Sequence, residues 1–362
     1  MVWPTLKKAD PFTSTITAMK IKFTSLFLLC ALISQAQQKP MYTQYILNNY
    51  IINPALSGIE NYTDVKLSNR NQWTGIDGAP VTTYLSLHGP IGKSDYRTTS
   101  TSYDVPGENP RGRSFVSEYT APAPHHGYGL IVMNDKAGYI NRFTASLSYA
   151  YHKPVSVRST LAVGFQAGIT SVKLDRSKID WATLDPNDPA IGYDNGELKK
   201  LKPELGVGLW LYSAEYFAGA SVLNIVPGKA KFGSKDSSTY GSTFKPQMLG
   251  TAGYRFFLSD DLTLLPSGMV QFISPYPVQF HANAKLQYQD KAWIGASYRF
   301  GDDFGGYAGM AGFHIGNFLS VGYSYDVASG SRLRTYSKNT HEFVIGFILG
   351  NKYGDSCPRA AW

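Results

Sequence analysis

The sequence predicts an all-β protein: a closed antiparallel transmembrane β-barrel of about fourteen strands, with short periplasmic turns and longer outer loops. Three observations predict this fold. Apolar residues recur at every second position along most of the chain. After the N-terminus, no stretch approaches the ~18 consecutive apolar residues of a membrane-spanning helix. The turns also alternate in length, as they do in outer-membrane barrels.

The N-terminal region is predicted to be a targeting signal. Residues 19–36 read MKIKFTSLFLLCALISQA, in which two lysines precede a short apolar stretch over 23–33 and small residues end the segment. This order is typical of a secretory signal peptide, with cleavage expected near Ala36. Residues 1–18 do not resemble a signal, so we interpret them as an extension wrongly placed ahead of a start at Met19.

The rest of the chain is divided by its pattern of alternation. Residues 37–62 precede the first strand and are expected to lie in the periplasm or inside the barrel. The barrel is predicted over 63–350, and residues 351–362 form a C-terminal tail. Only Cys357 remains after the signal, so no intrachain disulfide is expected.

The clearest strand is 278–288, where apolar residues such as Phe280 and Leu286 alternate with polar ones such as His281 and Lys285. Similar alternation, read in order along the chain, gives strands of roughly 8–12 residues, close to the ~9–11 residues that cross a bilayer. They are predicted near 63–71, 80–88, 127–133, 141–151, 158–169, 203–212, 215–223, 246–257, 261–272, 276–288, 290–300, 304–314, 316–326 and 340–349.

A secreted β-sandwich is the alternative fold, and two features favour the membrane barrel. The polar face of the strands is not a charged solvent surface but is built mainly from Gly, Ser, Thr, Gln and Asn, with a few charged residues. Aromatic residues, 14 % of the chain, gather at strand ends, where Tyr and Trp meet the membrane boundary. Closure is expected because unpaired backbone groups in hydrocarbon cost several kcal/mol each.

Some charged residues fall on the polar phase of the strands and are expected in the lumen. Both signs are present, so internal pairing in a plugged or narrow lumen is one interpretation, and a selectivity lining is the other. A ring of about fourteen strands is wider than side chains alone fill, so it must hold water, a plug or a partner. The candidate lumen charges are Asp64, Lys66, Arg70, Glu204, Arg255, Lys285, Arg299 and Glu342.

The sequence offers no clear chemistry. His125 and His126 are adjacent, and adjacent side chains of an extended chain diverge, so they do not make a metal site alone. The chain lacks G-x-S-x-G, Walker and H-E-x-x-H motifs. No catalytic residue, cofactor or metal ligand is therefore predicted. The net charge of +8 is scattered, so no nucleic acid is expected as a partner, and no small-molecule substrate either.

One connection breaks the alternation of turn lengths. Residues 89–125, rich in Ser, Thr and Pro, join the second and third strands on the side of the short turns. This segment is interpreted either as a disordered insertion or as a docking loop.

Several blocks resemble the PorP/SprF family of outer-membrane proteins. YTQYILNNYIINPALSG (Tyr42–Gly58) is similar to the family's opening segment, and RNQWTGIDGAPVTTYLSLHGPIG (Arg70–Gly92) to its Arg-x-Gln-Trp-x-Gly-x-x-Gly-x-Pro segment. GYGLIVMNDKAG, IGASYRF, VGYSYDVASG, HEFVIGF and SCPR follow in family order. The residues carrying the resemblance, also the candidate partner-binding residues, are Gln44, Tyr45, Asn53, Pro54, Gln72, Trp73, Gly75, Gly78 and Pro80.

The resemblance implies a component of the type IX secretion system of gliding and related bacteria. It implies a location in the Gram-negative outer membrane and partners in the secretion machinery. It also implies a role in the export and surface attachment of adhesin-type proteins, with Gln72 to Pro80 as the first outer loop. The expected function is therefore non-enzymatic. The alternatives are an outer-membrane porin for small solutes and an embedded lipid hydrolase.

Overall fold

The computed structural model describes residues 45–46, 48–93, 119–174, 199–231, 241–274, 276–289, 291–300, 306–316, 318–328 and 339–350. The predicted signal peptide over 19–36, Gln44 and most of the 89–125 segment lie outside these ranges. The described part of the chain consists of antiparallel strands and two single-turn 3-10 helices. Among the described residues, none of the helices has the length and hydropathy needed to cross a membrane.

Fourteen strands form the wall of the barrel, and each corresponds to one of the predicted strands. They are β1 (Thr63–Asn71), β2 (Val81–Ile91), β3 (His125–Ala137), β4 (Ile140–Ser156), β5 (Ser159–Leu174), β6 (Lys199–Tyr212), β7 (Tyr216–Leu223), β10 (Gln247–Tyr254), β12 (Leu262–Phe272), β13 (Gln279–Tyr288), β14 (Ala292–Phe300), β15 (Gly306–Ile315), β16 (Leu319–Ala328) and β17 (Thr340–Leu349). The remaining strands are a separate hairpin, β8 (Gly228–Lys231) with β9 (Gly241–Phe244), and the short β11 (Phe256–Phe257), which pairs with β12.

The wall closes on itself through two pairings. The first strand pairs with the last, in a register that sets Thr63 opposite Leu349 and Asn71 opposite His341. β10 pairs with β7 on one side and with β12 on the other, so the ring has no break there. Because the ring is closed, each wall strand pairs with a neighbour on both sides. A sheet in hydrocarbon needs this pairing, because unpaired backbone groups find no water there. The prediction of a closed antiparallel barrel of fourteen strands is confirmed.

The polar faces of the wall strands point into the barrel, and their apolar faces point outward. On β13, His281, Asn283, Lys285 and Gln287 are buried and Phe280 is exposed. Large apolar side chains project from the outer face of nearly every wall strand, and Leu147 on β4 is 66 % exposed. This inversion gives an apolar belt for lipid and a polar interior, so the prediction from the alternation is confirmed.

The two ends of the barrel differ in the length of their connections. Turns over 157–158, 213–215, 289–291 and 316–318 share one end with the start of β1 and the finish of β17, which we call the terminal end. The longer connections 175–198, 224–246 and 329–339 join strands whose ends meet at the other end, which we call the loop end. Two connections are exceptions: 92–124, which is long and joins strands at the terminal end, and the β3–β4 turn over 138–139, which is short and lies at the loop end.

Several local features differ from the sequence prediction. β3, β5 and β6 are longer than predicted, and the segment predicted as one strand over 246–257 is divided between β10 and β11. β4 was predicted over 141–151 but runs to Ser156, because His152 to Pro154 keep their pairing with β5 although they interrupt the apolar alternation. The β8–β9 hairpin was not predicted. Its strands are four residues each and lie in a segment interpreted as a loop.

Candidate functional site

The N-terminal segment fills the lumen of the barrel. We call residues 45–46 and 48–60 the plug, because every one of them is buried. Two 3-10 turns, Asn49–Ile51 and Pro54–Leu56, shape the plug. Asn53 links them: its side-chain oxygen accepts a hydrogen bond from the Ala55 amide at 3.0 Å, and Pro54 begins the turn. The predicted candidates Tyr45, Asn53 and Pro54 therefore lie inside the barrel.

Hydrogen bonds join the plug to strands on opposite sides of the wall. The hydroxyls of Tyr50 and Ser148 are 2.6 Å apart on the β4 side, and the Asn48 amide donates to Ser86 of β2 at 2.8 Å. Across the lumen, the Asn283 amide of β13 donates to the Tyr45 hydroxyl. The plug is thus held from several directions.

Asn53 also binds the wall through its amide nitrogen. The nitrogen donates to the carbonyl of Leu209 on β6 at 2.9 Å and to that of Ala220 on β7 at 3.3 Å. One buried side chain thereby caps a turn of the plug and satisfies wall carbonyls. Ser221 adds a bond of 2.6 Å from its hydroxyl to the Ile52 carbonyl.

Glycines on the inner face make room for the plug. A Cβ atom on Gly127 of β3 would lie 1.8 Å from the Ser57 carbonyl oxygen. The same holds on the neighbouring strands, where a Cβ on Gly164 would lie 2.3 Å from the Ala55 nitrogen. Gly129 and Gly208 would clash in the same way, with Tyr50 and Asn53. Any larger residue at these positions must displace the plug or the wall.

A pair of histidines holds the last turn of the plug. His152 of β4 lies 2.8 Å from the Ser57 carbonyl through Nε2, so that nitrogen donates its proton. In a neutral ring Nδ1 then accepts, and the Tyr212 hydroxyl is 3.1 Å away. His125 stacks on His152, with ring centroids 4.5 Å apart. His126 points to the outer face, so the predicted divergence of the two adjacent histidines is confirmed.

The plug tyrosines are neutral hydrogen-bonding groups at physiological pH. Burial raises the pKa of the Tyr45 and Tyr50 phenols above their ordinary value, and the hydrogen bonds from Asn283 and Ser148 only partly offset this. Ionising either phenol would therefore disfavour the plugged state, since stability linked to a raised pKa is lost as pH rises above the unfolded value near ~10.

Beside β1, charged residues of four strands form a buried cluster. Arg70 donates to Glu342 and to Asp326, each at 2.7 Å, and Arg299 donates to Asp326 at 3.1 Å. We call these four residues the ion-pair cluster. Three of them are among the predicted lumen charges, and the structure brings them together near the loop end. Such a set is consistent with internal pairing.

The other candidate charges are spread along the lumen. Lys66 pairs with Asp64 at 2.5 Å near the terminal end. Glu204 accepts from Thr170 at 2.6 Å, and Lys285 is buried on β13. Arg255 is buried in the break between β10 and β11, where its backbone amide donates to Glu215. These residues do not converge on one site.

The candidate loop over 72–80 folds against two neighbouring strands at the loop end. Trp73 and Gly75 both have positive φ, at 49° and 95°. The Trp73 amide donates to the Thr340 hydroxyl at 3.2 Å, which ties the loop to β17. The Gly78 carbonyl accepts from Gly138 at 2.8 Å, which ties it to the β3–β4 turn. Gln72 and Pro80 close the base of the loop through a backbone bond of 2.9 Å.

Sequence reasoning missed some residues of the lumen. Asp326 continues the polar alternation of Ser320 and Ser324 on β16, so its inward position had a signal in the sequence. Ser148 also lies on a polar face, but its bond to Tyr50 joins positions 98 residues apart. Nothing in the sequence indicated that His152 and Tyr212 would be in contact, because their contact arises only from strand register.

A cavity of about 10 Å³ lies beside Tyr45, Ile46 and Asn49, and such a volume admits about one water molecule. Within the described ranges, no group of three or more His, Cys, Asp or Glu is placed to hold a metal ion. The site is therefore a contact between the plug and the wall of the same chain.

A closed barrel with a polar interior and an apolar outer belt defines a membrane-spanning β-barrel of the outer-membrane class. The profile of the family described as type IX secretion system membrane protein PorP/SprF matches residues 34–347. The chain therefore belongs to the PorP/SprF family and is an outer-membrane component of the type IX secretion system. This is a family of secretion-system membrane proteins and not an enzyme family.

Comparison with other proteins adds the following. No curated protein sequence matches the chain. The outer membrane protein Omp33 of Acinetobacter baumannii is 10 % identical with a TM-score of 0.43, over 81 % of this chain and 100 % of that one. The toluene transporter TbuX of Ralstonia pickettii is 12 % identical with a TM-score of 0.44, over 84 % of this chain and 92 % of that one. A porin of Rhodopseudomonas blastica has a TM-score of 0.33 at 10 % identity, over 80 % and 99 %.

Proposed function

We propose that this barrel assists the export and surface attachment of an adhesin-type protein, and that it acts by binding that protein and not by catalysis. The observation that carries the proposal is the plug, whose buried residues occupy the lumen from β2 to β13. A barrel filled by its own chain is suited to recognition at its ends more than to free diffusion through its centre. Membership of the secretion family supports the same role.

The proposal includes the processing of the chain. Cleavage near Ala36 removes residues 19–36 as a signal peptide and leaves 37–62 as the segment that inserts into the barrel. Residues 63–350 form the membrane domain, and 351–362 remain as a tail. Partners then meet the loop end, through connections such as 72–80, or the terminal end, through the 92–124 connection. In gliding bacteria, the exported protein would be a motility adhesin.

The test is co-purification from detergent-solubilised outer membranes, using the affinity-tagged full chain. We expect mass spectrometry to identify an exported protein with an adhesin architecture together with secretion-system components. Deleting the gene should leave that adhesin inside the cell or released into the medium. Recovery of neither partner class, with normal surface display of adhesins in the deletion strain, would contradict the proposal.

A porin for small solutes is the second candidate, favoured by the polar lining of Ser, Thr, Asn and Gln on the inner wall. Planar-bilayer recording separates the two functions. We expect the full chain to show no steady open-channel current, and a variant lacking residues 45–60 to conduct. A steady current through the full chain would favour the porin instead.

A further inference from the structure

A row of lysines crosses the outer face of the barrel at the loop end. Lys136 of β3 pairs in register with Asn141 of β4, Asn141 pairs with Lys173 of β5, and Lys173 pairs with Lys199 of β6. Directly opposite residues of antiparallel strands share a face and have Cβ atoms about 5 Å apart. The three lysines are exposed. We call these four residues the lysine row.

The face carrying the row is the lipid-facing one. Side chains at i and i+2 share a face of a strand. Two positions along from the row, Phe143 on β4 and Leu201 on β6 are apolar and exposed, whereas Asn134 on β3 and Ser171 on β5 are polar. Phe143, Ile169 and Leu201 lie on that face, with Leu201 65 % exposed. The lysine row therefore lies at the edge of the apolar belt, next to apolar residues on β4 and β6 and one polar residue away from them on β3 and β5.

The height of the row matches one side of a bilayer. On β3, about ten residues separate Lys136 from His126, or ~33 Å along the strand at the usual rise. A tilt of ~35–45° reduces this to about 25 Å, the height of the apolar band of outer-membrane barrels. His126 lies in an aromatic cluster at the terminal end, with its Nδ1 2.6 Å from the Tyr149 hydroxyl and its ring against Tyr151. That cluster marks the opposite boundary of the same belt.

The row has an unbalanced charge. Lys173 and Lys199 are directly opposite each other, an arrangement that destabilises a strand pair. The four strands β3 to β6 contain only two carboxylates, and both lie on the lumen face. Asp135 accepts from Thr82 at 2.7 Å and Glu204 accepts from Thr170 at 2.6 Å. No carboxylate on these four strands shares the face of the lysines, so their repulsion is offset by an anion from outside these strands, either a bound ligand or a carboxylate of the 175–198 connection.

We propose that Lys136, Lys173 and Lys199, with Asn141, bind the phosphate groups of a phosphorylated glycolipid in the outer leaflet. The loop end faces outward because outer-membrane barrels carry their longer connections outside and their short turns in the periplasm. At the upper boundary of the apolar belt, a lipid can place its acyl chains on Phe143 and Ile169 while its phosphates reach the ammonium groups. A soluble anion gains only the second contact.

The test measures binding of purified full chain, in neutral detergent, to three probes: diphosphorylated lipid A, dephosphorylated lipid A and inorganic phosphate. We expect at least tenfold tighter binding of the phosphorylated lipid than of the dephosphorylated one, weakened by salt. The variant K136Q/K173Q/K199Q should bind both lipids within about twofold of each other. Inorganic phosphate should bind at least tenfold more weakly than diphosphorylated lipid A.

The matched control removes three exposed cations at the terminal end instead, in the variant K153Q/R158Q/K291Q. This variant should keep the full preference for the phosphorylated lipid. Heat-dependent gel mobility verifies that each variant is a folded barrel. A lysine-row variant that is folded and keeps the wild-type preference would overturn the proposal, as would equal binding of both lipids by the wild type. Inorganic phosphate binding as tightly as the lipid would assign the row to a free anion and also overturn it.

Discussion

At the scale of single residues, buried charged side chains in the lumen are stabilised by ion pairs with one another. Arg70 is buried, and its guanidinium donates hydrogen bonds to two carboxylates on two different strands. Removing one partner from a buried ionic group leaves the others without compensation, at a typical cost of about 3–5 kcal/mol. The contribution of Arg70 to the stability of the barrel therefore depends on Glu342 and Asp326 remaining ionised.

Replacing Arg70 with methionine is expected to lower the free energy of unfolding by about 3–5 kcal/mol, because Glu342 and Asp326 each lose an ion pair with Arg70 and Asp326 keeps only the pair with Arg299 in this cluster. Equilibrium unfolding in urea, with the protein in lipid vesicles, measures the change. The control is Arg158→Met in the exposed β4–β5 turn, where a change within about 0.5 kcal/mol is expected. Equal effects of the two substitutions would show that the ion-pair cluster contributes nothing specific.

At the scale of elements, the plug and the wall are fitted by shape as well as by hydrogen bonds. The inward glycines leave a groove along the wall: the plug backbone approaches Gly127 and Gly164, and the side chains of Tyr50 and Asn53 approach Gly129 and Gly208. A strand glycine costs stability by itself, because it orders a flexible residue and packs no side chain. Contact with the plug offsets that cost.

Substituting Gly127 with alanine is expected to loosen the plug. The added Cβ would lie 1.8 Å from the Ser57 carbonyl oxygen, and overpacking of this kind costs about 1–3 kcal/mol. Backbone amides of residues 48–60 should exchange hydrogen several-fold faster, measured by mass spectrometry. Gly309→Ala is the control, since nothing lies within 4 Å of a Cβ there. Unchanged protection of the plug in G127A would contradict the tight fit.

At the scale of the whole molecule, the barrel has polar side chains inside and apolar side chains facing lipid, the reverse of a soluble globular protein. Exposed apolar side chains surround it between the lysine row and the aromatic cluster of His126, Tyr149 and Tyr151. Position within this belt, more than the fraction exposed, should decide what a substitution costs. Leu147 and Leu201 test this, because they are 66 % and 65 % exposed but lie at different heights.

Leu147→Arg is expected to lower the free energy of unfolding in lipid vesicles by about 2–4 kcal/mol, the cost of a cation near the midplane. Leu201→Arg, two residues from Lys199, should cost about 0–1 kcal/mol, because the guanidinium reaches the headgroups. Urea titration of both variants in the same lipid measures the difference. Equal costs for the two substitutions would mean that the belt is not where the structure places it.

The sequence by itself determined the strands, because alternation of period two is a local property that any short segment displays. The polar and apolar faces of β13 and the inward position of Arg70 could be predicted from that alternation alone. Parity and turn length likewise predicted which connections share an end, and the short motifs from Arg70 to Pro80 predicted the family.

Only the tertiary structure decided what fills the barrel. The plug residues carry no alternation, and whether they remain in the periplasm or enter the lumen depends on contacts with β2, β4, β6, β7 and, through Tyr45, β13. The lysine row has the same origin, since Lys136, Lys173 and Lys199 become neighbours only through the register of four strands. Register and burial arise from pairing between distant segments, and no single segment contains that information.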